Sequence, residues 1–355
     1  MGDVHVVAVV SSPLQALNLV EYCWRFDRVV DLVVVGCETA ALEPASRLQI
    51  DSVLGLISPH AVIFRNWHIR LSEPFGAKKT VAAEADAIRA LVNGVDYEFV
   101  VGEYRSAFCW AVLHRLGSLA STVVVVDDGT ATLRMDRRRS LRSSKVRRQM
   151  LKSLVHLAIG IPGVIPSSGI TFFSAYPLDA RIADGDVVVP NDYRSLRQKL
   201  SCLPVDEEHV FVIGGPYLEN GEVDAGDVEL ALDLARFAAE HTGKEVIYVA
   251  HRRERAEKLD DLRRTIKVVT PTVPFELYPL VHGKRTQVLV GYYSSLFVTA
   301  AKLYGSSIQI IALQIPRSRI NASVLPFVDT VYQYYRTELP TVVEIAESSA
   351  TPRGA

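Results

Sequence analysis

Two adjacent carboxylates, Asp127 and Asp128, follow the β-branched run Thr122 to Val126 and precede Gly129 and Thr130. A parallel strand ending in two acids presents them where open α/β sheets bind their ligands. There one carboxylate can act as a general base, while the other holds it or an acceptor hydroxyl by hydrogen bonding. Asp-Asp-Gly is also ordinary turn chemistry, so the pair alone leaves a purely structural strand end open. Gly129 permits the tight turn that either reading needs.

The second half of the chain places other groups at similar positions. Tyr248-Val249-Ala250 leads into His251-Arg252-Arg253-Glu254. His251 can donate a hydrogen bond to a phosphate, Arg252 can add a charge-assisted one, and a helix starting there supplies free backbone N–H groups. A solvated basic helix start is the plainer alternative. Gly291-Tyr292-Tyr293 leads into Ser294 and Ser295, which open a helical stretch from Ser294 to Leu303. Capping explains one serine; two hydroxyls with first-turn amides make a neutral phosphate cradle. Gly214 and Gly215 end another strand and allow close backbone approach, and Glu276 can accept hydrogen bonds from two ribose hydroxyls or complement a helix dipole. Each signal is weak alone. Occurring in order within one lobe, Gly-Gly, His-Arg, Glu and Ser-Ser compose a nucleotide site.

Holding such groups requires strands buried on both faces with helices crossing between them. Short Val-rich runs do alternate with amphipathic stretches. In the first half the expected strands are Val4 to Val10, Val30 to Val35, Ala61 to Phe64, Tyr97 to Val101 and Thr122 to Val126, with helices over Gln15 to Arg25, Lys79 to Leu91 and Arg105 to Leu116. An irregular stretch follows, then a strand over Ile182 to Pro190 and a polar linker over Asn191 to Leu203. Strands restart at Val210 to Gly214, Glu245 to Ala250, Val268 to Thr270, Thr286 to Val290 and Ile308 to Ile311. The expected fold class is α/β, with two Rossmann-like doubly wound domains facing a cleft, over residues 1–195 and 205–345, and a disordered tail over 346–355.

The 355 residues, 49% of them hydrophobic and 22% charged, suit two folded domains. A net charge of -1 argues against a nucleic-acid partner. Cys23, Cys37, Cys109 and Cys202 form no CxxC pair, which favours a reducing compartment and buried free thiols. The histidines show no HxxxH spacing, so no metal is expected. The first residues lack a basic segment ahead of an apolar one, and no run approaches the roughly 18 residues of a membrane span. A cytoplasmic location is therefore expected.

The order Asp127-Asp128-Gly129, His251, then Ser294-Ser295 resembles that of bacterial sialyltransferases and polysialyltransferases with the two-lobed GT-B architecture. The opening Ser12-Pro13-Leu14-Gln15 is similar to the start of those proteins. His251 departs from their pattern, being followed by Arg252 instead of proline. The resemblance implies an inverting transferase that moves sialic acid from CMP-sialic acid to a hydroxyl of a glycan or glycolipid acceptor. It makes Asp128 foremost, or Asp127, the base, His251 the partner of the CMP phosphate, and Ser294 and Ser295 phosphate ligands. Arg252, Gly214, Gly215 and Glu276 would be further nucleotide contacts, and the scheme needs no cofactor. The alternatives are a GT-B transferase using CMP-Kdo or a UDP-sugar, and a nucleotide-binding protein without catalysis. The basic stretch within 134–160 suits an anionic membrane surface or a polyanionic acceptor, which would make the protein peripheral on the inner face of the membrane; a solvated helix is the alternative.

Overall fold

The computed structural model describes residues 4–37, 42–66, 74–91, 97–116, 120–137 and 168–347. The chain divides into two compact units, Met1–Asn191 and Asp192–Ala355. In the first, β1 (Val4–Val10), β2 (Arg28–Cys37), β3 (Ala61–Asn66), β4 (Tyr97–Val101), β5 (Ala120–Val126), β6 (Ile170–Ser174) and β7 (Val187–Pro190) form a seven-stranded sheet in the order β3-β2-β1-β4-β5-β6-β7. Neighbouring strands pair in parallel throughout. The helices α1 (Pro13–Phe26), α2 (Pro44–Leu54), α3 (Pro74–Leu91) and α4 (Ala107–Leu116) connect the first five strands. The order reverses between β1 and β4, which opens a crevice at their carboxyl ends.

Valine explains why these runs become central strands. Val6, Val7, Val33, Val34, Val100 and Val124 are all fully buried. Their branched side chains fit a pleated surface covered on both faces, and each contributes about 1.5–3 kcal/mol by leaving water. Entry into α1 is set just as locally: the Ser12 hydroxyl accepts the Gln15 N–H, and Pro13 takes the first helical position.

The second unit repeats the winding. After α5 (Arg194–Leu200) and the short β8 (Val205–Asp206) come β9 (His209–Ile213), α6 (Asp227–Thr242), β10 (Glu245–Val249), α7 (Ala256–Arg263), β11 (Lys267–Val269), α8 (Tyr278–His282), β12 (Arg285–Thr286), β13 (Val288–Gly291), α9 (Ser295–Tyr304), β14 (Gln309–Gln314), α10 (Leu325–Glu338) and β15 (Val343–Glu347). The main sheet is six-stranded and parallel, in the order β11-β10-β9-β13-β14-β15, and β8 pairs with β12. Here the order reverses between β9 and β13.

Several expectations need correction. The segment read as a polar linker contains α5, whose Leu196 and Leu200 are buried within the second unit. The strand expected from Ile182 begins at Val187. Ala346 and Glu347, assigned to a tail, pair with Leu313 and Gln314. Cys23 and Cys109 are buried free thiols, but Cys202 is exposed. Most of the basic stretch, 138–160, lies outside the described residues. At its start, Arg137 faces inward: its side chain is 6% exposed, and its Nε donates to Asp186 Oδ2 at 2.6 Å, leaving it no part in a membrane-facing surface. Among the described residues no helix is long and apolar enough to cross a membrane.

Candidate functional site

In the first unit, three strand ends build one polar cluster around Asp128. Behind β5, Gly129 adopts φ +61° and turns the chain into a 3-10 turn, and the Asp128 N–H donates to the Thr132 hydroxyl at 3.2 Å. After β1, Gln15 in the first turn of α1 donates from Nε2 to Asp128 Oδ1 at 2.8 Å. Its amide oxygen accepts from the Ser11 N–H at 2.7 Å, so the NH₂ end is committed to the carboxylate. After β4, a Cβ on Gly102 would run into the Gln15 side chain, so this glycine leaves room for the glutamine. The next residue, Glu103, is a hydrogen-bond neighbour of Asp128, and Arg105 Nη2 lies 4.0 Å from Asp128 Oδ2. Arg105 also donates from Nε to Glu103 at 3.0 Å.

These neighbours set the protonation. Burial pushes the Asp128 carboxyl up to about 8, reinforced by the negative charge of Glu103, while Gln15 and Arg105 act in the opposite sense. Burial also opposes charge on Glu103, but its hydrogen bonds with Asp128 and Arg105 outweigh that and hold it below the ordinary glutamate range. The pair therefore keeps its proton on Asp128, whose side chain is 29% exposed and can meet a ligand. A carboxyl so poised becomes a proton acceptor as pH climbs through about 8. A cavity of ≈ 30 Å³, room for about one or two waters, adjoins the cluster between Glu103, Asp128, Met135 and Phe172.

Asp127 does different work. It is 3% exposed, and its carboxylate accepts from the Ser174 hydroxyl at 2.7 Å and the Ala175 N–H at 2.5 Å. Its backbone carbonyl accepts from Asn18 Nδ2 at 3.0 Å. It ties β5 to β6 and does not reach out to a substrate, contrary to its expected share in catalysis. Burial pushes it up to about 7 against those hydrogen bonds. An acid whose folded value is raised contributes stability that is full below the ordinary Asp range and is lost as pH climbs through about 7. Asp127→Asn should therefore melt at least as high as wild type at pH 8, its amide donating to Ser174 and its carbonyl accepting from Ala175. Asp127→Ala should cost about 1–3 kcal/mol by stranding buried donors. Thermal melts at two pH values check both; an Asn variant that melts like the Ala variant would refute this role.

In the second unit, Glu254 organises the loop after β10. Its Oε2 accepts the His251 N–H at 2.6 Å and its Oε1 accepts the Tyr248 hydroxyl at 2.6 Å. Lys258, 1% exposed, stands 2.5 Å from Glu254 Oε1 and donates to the Gly215 carbonyl at 3.3 Å. Gly214 and Gly215 are explained by this packing: a Cβ on either would run into Glu254 and Tyr248, or into the Tyr217 ring. The Cβ space at both glycines is filled by the protein's own side chains.

Each His251 ring nitrogen faces a donor, Nδ1 the Arg253 N–H at 3.2 Å and Nε2 the Arg252 Nη1 at 3.3 Å; the tautomer that keeps the Nδ1 bond carries its proton on Nε2. Burial, then the charges of Arg252, Arg253 and Lys258, hold the imidazole neutral well below its ordinary value. A phosphate oxygen beside Nε2 would accept from both side chains. Glu276, buried in a short 3-10 turn, is pushed up by burial and drawn back by the Arg252 charge. On the other side of β9, after β13, the Ser294 hydroxyl caps α9 by accepting from the Leu296 N–H at 3.2 Å. The Tyr335 hydroxyl clamps the Ser294 backbone, accepting from its N–H at 3.0 Å and donating to its carbonyl at 2.8 Å. Ser295 Oγ makes no hydrogen bond among the described residues, so its hydroxyl is the one available to a ligand.

Gln15, Glu103, Arg105, Glu254 and Lys258 were not singled out as site residues from sequence. Gly102-Glu103 directly after a buried strand was the signal that could have found the second of them.

The sequence matches no protein-family model and no curated protein. Among solved structures, the chain is similar to the α/β-galactoside α-2,3-sialyltransferase of the luminous marine bacterium Photobacterium phosphoreum, with 10% identity and a TM-score of 0.53 over 97% of this chain and 99% of that one. It is also similar to the UDP-GlcNAc 2-epimerase of Methanocaldococcus jannaschii, with 13% identity and a TM-score of 0.50 over 97% of this chain and 89% of that one. At such identities the likeness concerns the fold, and the fold is the GT-B α/β architecture common to these glycosyltransferases and sugar-nucleotide epimerases.

Proposed function

We propose that the protein is an inverting glycosyltransferase that moves sialic acid from CMP-sialic acid to a glycan hydroxyl. The observation that carries this reading is the partly exposed Asp128 carboxyl, raised to about 8 and held by Gln15, Glu103 and Arg105 beside the sheet's switch point. In the proposed step Asp128 takes the acceptor's hydroxyl proton, the acceptor oxygen bonds to the anomeric carbon, and the bond from that carbon to the phosphate oxygen breaks. CMP leaves with the electron pair. His251 Nε2 and Arg252 donate to its phosphate, the Ser295 hydroxyl adds a contact, and Glu276 accepts from the ribose. The three phosphate contacts strengthen as charge builds on the leaving group, so they act on the rate more than on ground-state binding.

A UDP-sugar donor is the second reading, favoured by the likeness to the UDP-GlcNAc 2-epimerase. CMP release from CMP-sialic acid by the purified chain, with and without galactose-terminated and sialylated acceptors, separates the two. Acceptor-dependent release lost in His251→Ala supports sialyl transfer; turnover of a UDP-sugar with none of CMP-sialic acid replaces it by the second reading.

The base must lose its proton before it can accept another, so kcat/KM should rise with pH through about 8. Glu103→Gln removes the negative charge beside Asp128 and should move this limb to lower pH. A limb that stays in place would exclude Asp128 as the group reported.

A further inference from the structure

At the amino-terminal end of β9, the far end of that strand from Gly214, three ligating side chains from separate segments converge. Asp206 ends β8, His209 opens β9 and His282 closes α8. His209 Nδ1 lies 3.0 Å from both Asp206 oxygens, and His282 Nε2 lies 3.0 Å from Asp206 Oδ2. One donor atom from each residue falls within 4.8 Å of the other two. Nothing in the proposed transfer uses these groups, and the spacing of the histidines in sequence gave no hint of them.

We propose that Asp206, His209 and His282 bind a divalent transition-metal ion of the zinc, cobalt or nickel class. Two imidazoles and a carboxylate are the ligand set such ions take with a fourth position left to solvent. Bonds near 2.0–2.1 Å at tetrahedral angles put ligand atoms about 3.4 Å apart, so the observed spacing closes onto an ion with small side-chain shifts.

The surroundings hold the ligands as a metal site requires. His209 Nε2 lies 3.6 Å from Glu245 Oε2, a carboxylate that a small shift would bring to accept the Nε2–H when Nδ1 binds a metal. His282 is stacked on Tyr278 at 5.3 Å and 13°, with Phe211 edge-on at 6.1 Å, so its imidazole is fixed in orientation. The N–H groups of Glu208 and His209 hold Asp206 at 3.2 and 3.3 Å. The Asp206 side chain is fully buried, while His209 and His282 remain 14% and 25% exposed, which gives an ion a way in.

A second His-Asp-His set shows what distinguishes this one. His5 and His60 meet opposite oxygens of Asp31, at 2.8 and 3.0 Å, and His60 is 67% exposed. At Asp206 both imidazoles converge on the same oxygen. The bound ion would clip β8, β9 and α8 together, a stabilising role independent of the transfer reaction.

The test strips the 355-residue chain with EDTA, then titrates it with Zn²⁺ by calorimetry and with Co²⁺ by visible absorption. We expect one ion per chain, a tetrahedral-type cobalt spectrum and a higher Tm. His282→Gln and Asp206→Asn should each weaken binding by about tenfold or more, with His60→Gln unchanged. Absence of binding by wild type, or binding kept in folded His282→Gln and lost in His60→Gln, would overturn the proposal and leave a hydrogen-bonded trio. Should the variants misfold, diethylpyrocarbonate labelling of wild type decides it: Zn²⁺ must protect His209 and His282, and equal labelling with and without Zn²⁺ refutes the site.

Discussion

Asp128→Asn should lower kcat for acceptor-dependent CMP release by about 10²–10⁴-fold, the range lost with a general base, while leaving CMP affinity within a factor of about two. The asparagine carbonyl can still accept from Gln15 Nε2, so the variant keeps the hydrogen bond seen at 2.8 Å and removes only proton acceptance. The phosphate contacts assigned to His251, Arg252 and Ser295 lie in the other unit and stay intact. Steady-state kinetics with a parallel CMP titration separates these effects. Asp127→Asn is the matched control, since that neighbouring carboxylate is committed to Ser174 and Ala175. Equal losses in the two variants would mean that the site fails through its structure and not through its base.

The largest stability effect is expected at Glu254. Truncating it to alanine leaves the Lys258 ammonium, 1% exposed, with Asp227 Oδ2 at 3.8 Å and the Gly215 carbonyl at 3.3 Å as its remaining partners. It also strands the Tyr248 hydroxyl and the His251 N–H. Breaking a buried pair from one side costs about 3–5 kcal/mol, a large share of the stability of an ordinary domain. Denaturant titration of Glu254→Ala, Lys258→Met and the double variant measures the coupling: the double variant should be less destabilised than the sum of the singles. Additive losses would show that the pair does not act as one.

Periodicity made most of the architecture legible. The valine runs near residues 4, 30, 97 and 122, and again near 210, 245 and 286, became strands because burial on both faces leaves little but β-branched residues to read. Elements lacking so uniform a signal escaped. Helix α2 buries Ile50, Val53 and Leu54 but carries Ser46 and Gln49 on the same inward side, which blurs its stripe. Strand β6 went unread between the irregular stretch 134–170 and the strand expected from Ile182, although its Phe172 and Phe173 are buried beside β5. In α5, an arginine- and lysine-rich surface masked two buried leucines.

The site was legible as strand ends but not as partnerships. Asp128 could be found from its position after a strand; which of two adjacent acids faces outward could not, because that depends on Ser174 and Ala175 offering donors to the other. Glu103 and Gln15 reach Asp128 only because β1, β4 and β5 are neighbours in the sheet. Such contacts between distant parts of the chain leave no trace in local spacing. Asp206, His209 and His282 illustrate the same limit, since β8 and α8 bring His282 to a residue 76 positions earlier.

The all-parallel pairing also bears on how the polypeptide reaches its native state. His5 must find Tyr97, and Phe211 must find Leu289, before either sheet has its centre. Every such pairing closes a long loop, so contact order is high and folding is slow, of the order of milliseconds to seconds at best. Meanwhile Val6 to Val10, Val33 to Val35 and Val124 to Val126 are uncharged, proline-free β-formers with unmet backbone groups, a composition that favours intermolecular association. Yield on overproduction should therefore depend on temperature and on chaperone supply, even though the finished sheets bury these same valines.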